Sequence, residues 1–133
     1  MSILLDTHVW VWWLLDSAVL PRDERAAISV LAAAGGVCVA AISLWEVQML
    51  HAKGRLPLTR PFDRWIREAT APGAVQLLPL DAEVVVALDD LPKAFHGDPA
   101  DRLIVATARA HGLPLATHDS GIRKSRAARL WKP

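Results

Sequence analysis

The stretch that decides the fold is SILLDTHVW, residues 2–10, in which a short apolar run ends at an acid and a second apolar run follows. Ser2 to Leu5 predicts a buried strand, and Val9 to Leu15 predicts a helix close behind it. The same order returns in GVCVAAISLWE, residues 36–46, where Val37 to Ile42 predicts a second strand ahead of a helix. Strands that alternate with helices predict an α/β fold with a mainly parallel central sheet.

The rest of the chain continues this alternation. Further helices are predicted at Pro21 to Ala34, Ser43 to Lys53, Pro61 to Ala71, Asp81 to Leu91 and Pro99 to His111, and further strands at Ala74 to Leu80, Leu113 to Ala116 and, as a short last strand, Ala128 to Trp131. The 133 residues are the size of one ordinary domain, so residues 1–133 are expected to form a single domain. A hydrophobic content of 53% against 22% charged residues excludes a disordered chain.

Composition also narrows the class of protein. Cys38 is the only cysteine and lies in an apolar run, so it predicts a buried filler and neither a disulfide nor a zinc site. Val9 to Leu15 is too short to span a membrane, and no basic leader precedes it, so a cytoplasmic protein is expected. The last residues are basic, at Arg123, Lys124, Arg126, Arg129 and Lys132, which suits a phosphodiester substrate but on charge alone favours a solvated surface.

Five acids lie at the ends of predicted elements. Asp6 directly follows the first strand and Asp119 closely follows the fourth, while Glu46, Asp98 and Asp101 fall in the first turns of two helices. Parallel sheets bind ligands beyond the carboxyl ends of their strands, so these side chains are expected to meet in one crevice. Crowded carboxylates without thiolates suit magnesium or manganese.

Each acid also has an ordinary structural explanation. Ser43 and Glu46 have the spacing of a capping box, in which the glutamate would bond back to the serine amide. Asp98 is well placed as an N-cap, with proline next, and Asp119 could begin an Asx-turn. Taken singly, Glu46, Asp98 and Asp101 are each better explained as caps than as ligands. Asp6 resists this explanation, because Thr7 directly after it would cap the next helix as well. The joint occurrence of the acids is what favours a metal site.

Four segments together resemble the PIN-domain ribonucleases, and among them the VapC-type toxins of prokaryotic toxin–antitoxin systems. The matching segments are LLDTHVW (residues 4–10), SLWEV with its continuation KGRLP (43–47 and 53–57), HGDPADRLIVA (96–106) and LATHD (115–119). The resemblance implies a three-layer α/β/α sandwich, an RNA substrate, a small antitoxin partner and a homodimer, alone or in a hetero-oligomer with the antitoxin. The chain departs from the family pattern at Ala100 and His118, and neither residue is a presumed metal ligand.

The resemblance also implies roles for individual acids. Asp6, Glu46, Asp101 and Asp119 look like the catalytic quartet that holds Mg²⁺ or Mn²⁺, as one ion or two, with Asp98 as an additional acid. Such an ion activates water and neutralises the phosphoryl oxygens, so no protein nucleophile is required. Thr7, Thr117 and Arg102 are candidate substrate-binding residues, and the two threonines could instead orient carboxylates.

Other mechanisms remain to be weighed against this one. A metal-free ribonuclease would use His8, His96 or His118 as a general base, but each histidine is better explained as a structural or surface residue. A catalytically silent PIN-like domain that binds RNA or protein is the main alternative, and the presence of all four acids disfavours it. A receiver-like or phosphatase-like domain would need a lysine near the end of a late strand, where this chain has none.

Three of the six tryptophans crowd one short helix. Trp10 and Trp13 are predicted to share a core-facing side, which leaves Trp12 for a dimer contact, a partner groove or base stacking. A protein interface is the favoured interpretation for Trp12. The sequence leaves open which RNA is cut.

Overall fold

A computed structural model describes residues 1–95 and 97–133. Within them a four-stranded sheet forms from β1 (Ile3–Leu5), β2 (Val37–Ala40), β3 (Gln76–Leu78) and β4 (Leu115–Ala116). Its strand order is β3-β2-β1-β4, and every neighbouring pair is parallel. Leu5 pairs with Val39 on one side and with Ala116 on the other, so β1, β2 and β4 end level with one another.

Helices cover both faces of this sheet. They are α1 (Thr7–Leu14), α2 (Arg22–Ala33), α3 (Ala41–Ala52), α4 (Phe62–Ala69), α5 (Ala82–Asp89), α6 (Pro99–His111) and α7 (Ser120–Ser125). Successive strand residues point to opposite faces, so Ile3 and Leu5 enter one core with Trp10, while Leu4 enters a second core with Ile104. The result is the predicted three-layer α/β/α arrangement around a parallel sheet.

Helix α3 begins earlier than predicted. Its first residue is Ala41, and Ala40 is its N-cap, so Ile42 belongs to the helix and not to the preceding strand. Ser43 is therefore inside the helix and cannot act as its cap. The prediction of a capping box at Ser43 and Glu46 is wrong, and Glu46 lies in the second turn.

The end of the chain also differs from the prediction. Residues 120–125 form α7, which was not predicted. The expected last strand is reduced to a single parallel bridge between Leu130 and Leu115, in which the Leu115 amide donates to the Arg129 carbonyl at 2.8 Å. One bridge suffices to hold the terminal segment against β4.

The burial of the tryptophans and the cysteine agrees with the prediction except at Trp12 and Trp13. Trp10 is completely buried, whereas Trp12 and Trp13 are both half-buried against the same core. Trp12 was expected to point away from the core. Instead its ring packs partly against the core and stays partly accessible. Cys38 is buried and free, as predicted. In the described part of the chain, no helix is long and apolar enough to cross a membrane.

Candidate functional site

The level strand ends place two acids side by side. Asp6 follows β1 and caps α1 by accepting a hydrogen bond from the Val9 amide at 2.9 Å. Asp119 lies three residues beyond β4 and caps α7 by accepting from the Ile122 amide at 2.8 Å. Since β1 and β4 are paired neighbours, both carboxylates emerge at the same edge of the sheet.

Helix α6 brings two more acids to this edge. Asp98 is its N-cap and accepts from the Asp101 amide at 2.8 Å, with Pro99 at the first helical position. The helix start was predicted correctly because proline at this position needs no amide partner and aspartate caps well. Asp101 is thereby held in the first turn.

Glu46 is held by a hydroxyl chain from neighbouring elements. The Thr7 hydroxyl of α1 donates to Glu46 Oε1 of α3. The Thr7 and Ser43 hydroxyl oxygens are 2.8 Å apart, and Ser43 is completely buried. Because the single Thr7 proton is given to the carboxylate, Ser43 is the donor to Thr7. Ser43 thus supports Glu46 indirectly, through Thr7, and does not cap the helix.

Thr117 ties together the two strand-end acids. Its hydroxyl donates to Asp6 Oδ2, and its oxygen accepts from the Asp119 amide at 3.0 Å. Both Thr117 and Asp6 are buried. Thr7 and Thr117 therefore orient carboxylates in this structure, which is one of the two roles that their positions suggested.

The acids line one small cavity of about 110 Å³. Its lining consists of Asp6, Thr7, His8, Glu46, Asp98, Asp101, Ile104 and Asp119, and we call it the acidic pocket. A wider groove of about 530 Å³ continues from Asp98, Asp101 and Asp119 to Phe95 and Lys124. The structure thus brings all five predicted acids together, next to an open groove.

The electrostatics of the pocket show unbalanced negative charge. Burial, followed by the carboxylates of Asp98 and Asp119, raises the pKa of Asp101 from 3.8 to about 7. Burial also raises the pKa of Asp6 and of Glu46, against the opposing effect of the hydrogen bonds from Thr117 and Thr7. In the described residues, none of the five acids forms a salt bridge. The pocket therefore needs protons or an added cation to neutralise it.

The donor set fits a hard cation, although the present spacing is open. All the acidic ligands are oxygens, as magnesium and manganese prefer. Across residues 1–95 and 97–133, no group of three or more His, Cys, Asp or Glu side chains is arranged to hold a metal ion as it stands. Like charges that lack a shared cation keep apart, so closure of these carboxylates around an ion requires side-chain movement.

Apart from His8, which lines the acidic pocket, the other sequence candidates that the structure describes lie outside it. Arg102 donates to the Phe95 carbonyl at 2.9 Å and so supports the loop ahead of α6. Arg123 donates to the Thr117 carbonyl at 3.2 Å, and Arg129 to the Gly112 carbonyl at 3.0 Å. Of the basic residues near the chain end, Lys124 lines the groove. His96 lies outside the described residues.

A contact between His118 and Glu24, beside the acids, is not predicted by any pattern in the sequence. His118 Nε2 lies 2.6 Å from Glu24 Oε2 of α2. The two residues are 94 positions apart, and no local motif links them. The Trp12 ring meets the His118 ring nearly edge-on, with centroids 5.7 Å apart, and the centroid of the exposed His8 ring lies 6.0 Å from that of Trp12.

The structure is a parallel α/β sandwich with five acids gathered at the carboxyl ends of its strands. The model of the PIN domain family matches residues 3–127, so the chain belongs to the PIN domain family. Over 129 residues it is 40% identical to ribonuclease VapC22 of Mycobacterium tuberculosis, covering 96% of this chain and 95% of that protein. The family and the class of relative implied by the four segments are thereby confirmed.

Solved structures show the same fold. VapBC2 of Rickettsia felis, bound to a DNA fragment from their promoter, aligns with a TM-score of 0.73 at 17% identity, over 98% of each chain. FitAcB of Neisseria gonorrhoeae aligns with a TM-score of 0.67 at 22% identity, over 98% of this chain and 96% of that one. A toxin–antitoxin complex from Klebsiella pneumoniae gives 0.60 at 22% identity, over 90% and 88%. The predicted PIN-like sandwich is confirmed.

Proposed function

We propose that this chain is the ribonuclease toxin of a toxin–antitoxin pair, which hydrolyses RNA phosphodiester bonds in the cytoplasm with Mg²⁺ or Mn²⁺ held in the acidic pocket. The observation that carries the proposal is the convergence of five acids on one pocket without a cationic partner among the described residues. A relative named as a ribonuclease, 40% identical over nearly the whole chain, supports the reaction class.

Each acid would have a distinct part in holding the ion. Asp6, Asp101 and Asp119 would be ligands, directly or through water, and Glu46 and Asp98 would complete the oxygen shell. A bound ion supplies a more acidic water and positive charge for the phosphoryl oxygens. Ligand carboxylates must be ionised, so Asp101 would release its proton as the ion enters.

The protein side chains around the acids would prepare the site. The Thr117 hydroxyl orients the Asp6 carboxylate and the Thr7 hydroxyl orients the Glu46 carboxylate, so both are oriented before the ion binds. Lys124 in the adjoining groove would neutralise a phosphate next to the one that is cut. The RNA strand would therefore run along the groove and cross the acidic pocket.

The direct test is RNA cleavage by the purified protein. Wild type should cut an RNA pool with Mg²⁺ or Mn²⁺ and stop when EDTA is added. Asp6→Asn and Asp101→Asn should each lose activity by at least about 100-fold, because a ligand charge is removed. Asp89→Asn makes the same chemical change at an exposed residue that lines none of these cavities, and it should cut normally. The metal mechanism would be refuted if wild type still cut RNA in EDTA, or if the Asp6→Asn and Asp101→Asn variants each cut RNA as wild type does.

A small antitoxin and a second copy of this chain are the proposed partners. Solved toxin–antitoxin structures share this fold, which supports the antitoxin. Val85 and Val86 of α5 are 50% and 63% exposed, and Leu80 before that helix is 53% exposed, which provides apolar surface for self-association. An antitoxin arginine could enter the acidic pocket in place of the metal.

Purification from the native host tests both partners. Size-exclusion chromatography with light scattering should find a dimer or larger complex containing a small second protein that inhibits cleavage. If only an active monomer is recovered, the toxin assignment fails while the ribonuclease assignment stands.

A further inference from the structure

A second cavity, of about 160 Å³, adjoins the acidic pocket. It is lined by Asp6, His8, Trp12, His118 and Asp119, and we call it the aromatic pocket. Asp6, His8 and Asp119 line both cavities, so the two share a wall. A group bound in the aromatic pocket would therefore lie directly beside a phosphate bound at the acids.

The walls of the aromatic pocket come from helix α1 with its N-cap and from the loop between β4 and α7. Trp12 belongs to α1, the helix capped by Asp6, and its half-buried ring packs on the main core. His118 lies between β4 and α7, and its ring sits nearly edge-on to Trp12, at an interplanar angle of 69°. Because the indole already packs on the core, its side chain is ordered before a ligand binds, and binding on its accessible surface costs little further side-chain entropy.

A hydrogen bond to Glu24 fixes the orientation of His118. His118 Nε2 lies 2.6 Å from the carboxylate, and Glu24 and His118 side chains are 21% and 36% exposed. A carboxylate oxygen accepts, so Nε2 carries the proton and donates. The pair holds an otherwise exposed ring at the mouth of the pocket.

We propose that the aromatic pocket binds one nucleobase of the RNA, next to the phosphate that is cut, and sets the base preference at that position. This inference rests on the proposed ribonuclease function. An apolar cavity of about 150 Å³ accommodates benzene, so a cavity of 160 Å³ suits a single ring. Stacking on Trp12 supplies affinity, and the polar edges of His118 and His8 discriminate between bases.

The chemistry of the walls favours a base over other occupants. The indole of Trp12 cannot coordinate a metal ion and His118 Nε2 is already bonded to Glu24, so an ion held by Asp6 and Asp119 would lie on the side of the acidic pocket. A side chain of the antitoxin could fill the same space when the antitoxin covers the site, and the base profile of the free toxin distinguishes the two occupants. A nucleobase is joined through its ribose to a phosphate, and the acids at the shared wall are where the ion would bind that phosphate.

The test is the cleavage of a randomised RNA pool, with sequencing of the cut ends. Wild type should prefer particular bases at one position beside the cut. Trp12→Leu keeps an apolar side chain but removes the ring, and it should slow cleavage at subsaturating RNA by about 5- to 150-fold, the range for loss of one stacked base. His118→Ala should flatten the same position and no other.

Trp13→Leu is the matched control. Trp13 lies on the same helix with similar burial, donates to Ser29 at 3.1 Å, and does not line the pocket. Its cleavage rate and base profile should match wild type, and melting temperatures will show whether the two tryptophan variants are equally destabilised. Should Trp12→Leu fail to fold, His118→Ala carries the test, since its side chain is exposed enough to be dispensable for folding.

The outcomes separate this inference from the proposed function. An unchanged base profile in His118→Ala and in folded Trp12→Leu, with cleavage intact, would overturn the nucleobase site, leave the ribonuclease standing and make a protein side chain the better occupant. A wild-type protein that cuts no RNA with metal present would overturn the proposed function and this inference together. Uniformly slower cutting by His118→Ala with an unaltered profile would also contradict the inference, as would a folded Trp12→Leu that cuts as fast as wild type.

Discussion

Replacing Asp101 by asparagine should stabilise the metal-free protein while abolishing cleavage. Burial and the neighbouring carboxylates raise the Asp101 pKa from 3.8 to about 7. A rise of that size corresponds to a cost of at most about 4 kcal/mol for holding the charged form in the folded protein. The side chain is only partly buried, so solvent screening reduces this, and a gain of about 1–2 kcal/mol is expected for Asp101→Asn at pH 8.

The gain should depend on pH in a defined direction. Above pH 7 the folded protein bears the full cost of the charge. As the pH falls from 7 toward 3.8, the folded state takes up a proton before the unfolded state does, and the cost declines. At pH 5.5 the advantage of Asp101→Asn should be about half its value at pH 8.

Thermal and urea unfolding in EDTA will measure this effect. The melting temperature of Asp101→Asn should exceed that of wild type by roughly 3–8 °C at pH 8, with a smaller difference at pH 5.5. Asp89→Asn, an exposed change outside the cavities, should leave the melting temperature unaltered. A variant that is less stable than wild type at pH 8, or a difference that grows toward low pH, would show that Asp101 is not under electrostatic strain.

Three further outcomes are expected. Thr117→Val should weaken Mn²⁺ binding about 10- to 100-fold in calorimetry because Asp6 loses its donor, whereas Thr107→Val, equally buried in α6, should not. Mn²⁺ affinity should fall by up to about tenfold per pH unit below pH 7, since the ion must displace the Asp101 proton; pH-independent affinity would exclude Asp101 as a ligand. Thr7→Val should slow cleavage because Glu46 loses its donor, and should lower stability by about 1–3 kcal/mol because the buried Ser43 hydroxyl loses its partner; unchanged rates in the folded variant would exclude an orienting role for Thr7.

Much of the fold follows from local sequence pattern. Apolar runs that end at an acid identified β1, and the order of strands and helices identified the parallel sheet. The rule that ligands gather at the carboxyl edge then placed Asp6 and Asp119 together, although they are 113 positions apart. Regular elements and a general topological rule are what a single sequence can supply.

The errors arise where tertiary packing overrides local pattern. Ser43 and Glu46 have capping-box spacing, yet α3 begins at Ala41, and Glu46 finds its donor in Thr7 of another helix. Helix α7 spans only six residues, too few for a helical period to be recognised. The contact between Glu24 and His118 joins segments that no motif connects. Such features depend on which elements pack together and become visible only in the folded chain.

The most direct measurement of the central claim is the position of the metal. A crystal grown with Mn²⁺ should show an anomalous-scattering peak inside the acidic pocket, about 2–2.3 Å from carboxylate oxygens of Asp6 and Asp101. The carboxylates should then have closed around the ion, and Thr7 and Thr117 should still hold Glu46 and Asp6. A peak elsewhere on the protein, or none at millimolar Mn²⁺, would contradict a metal-dependent nuclease site at these five acids.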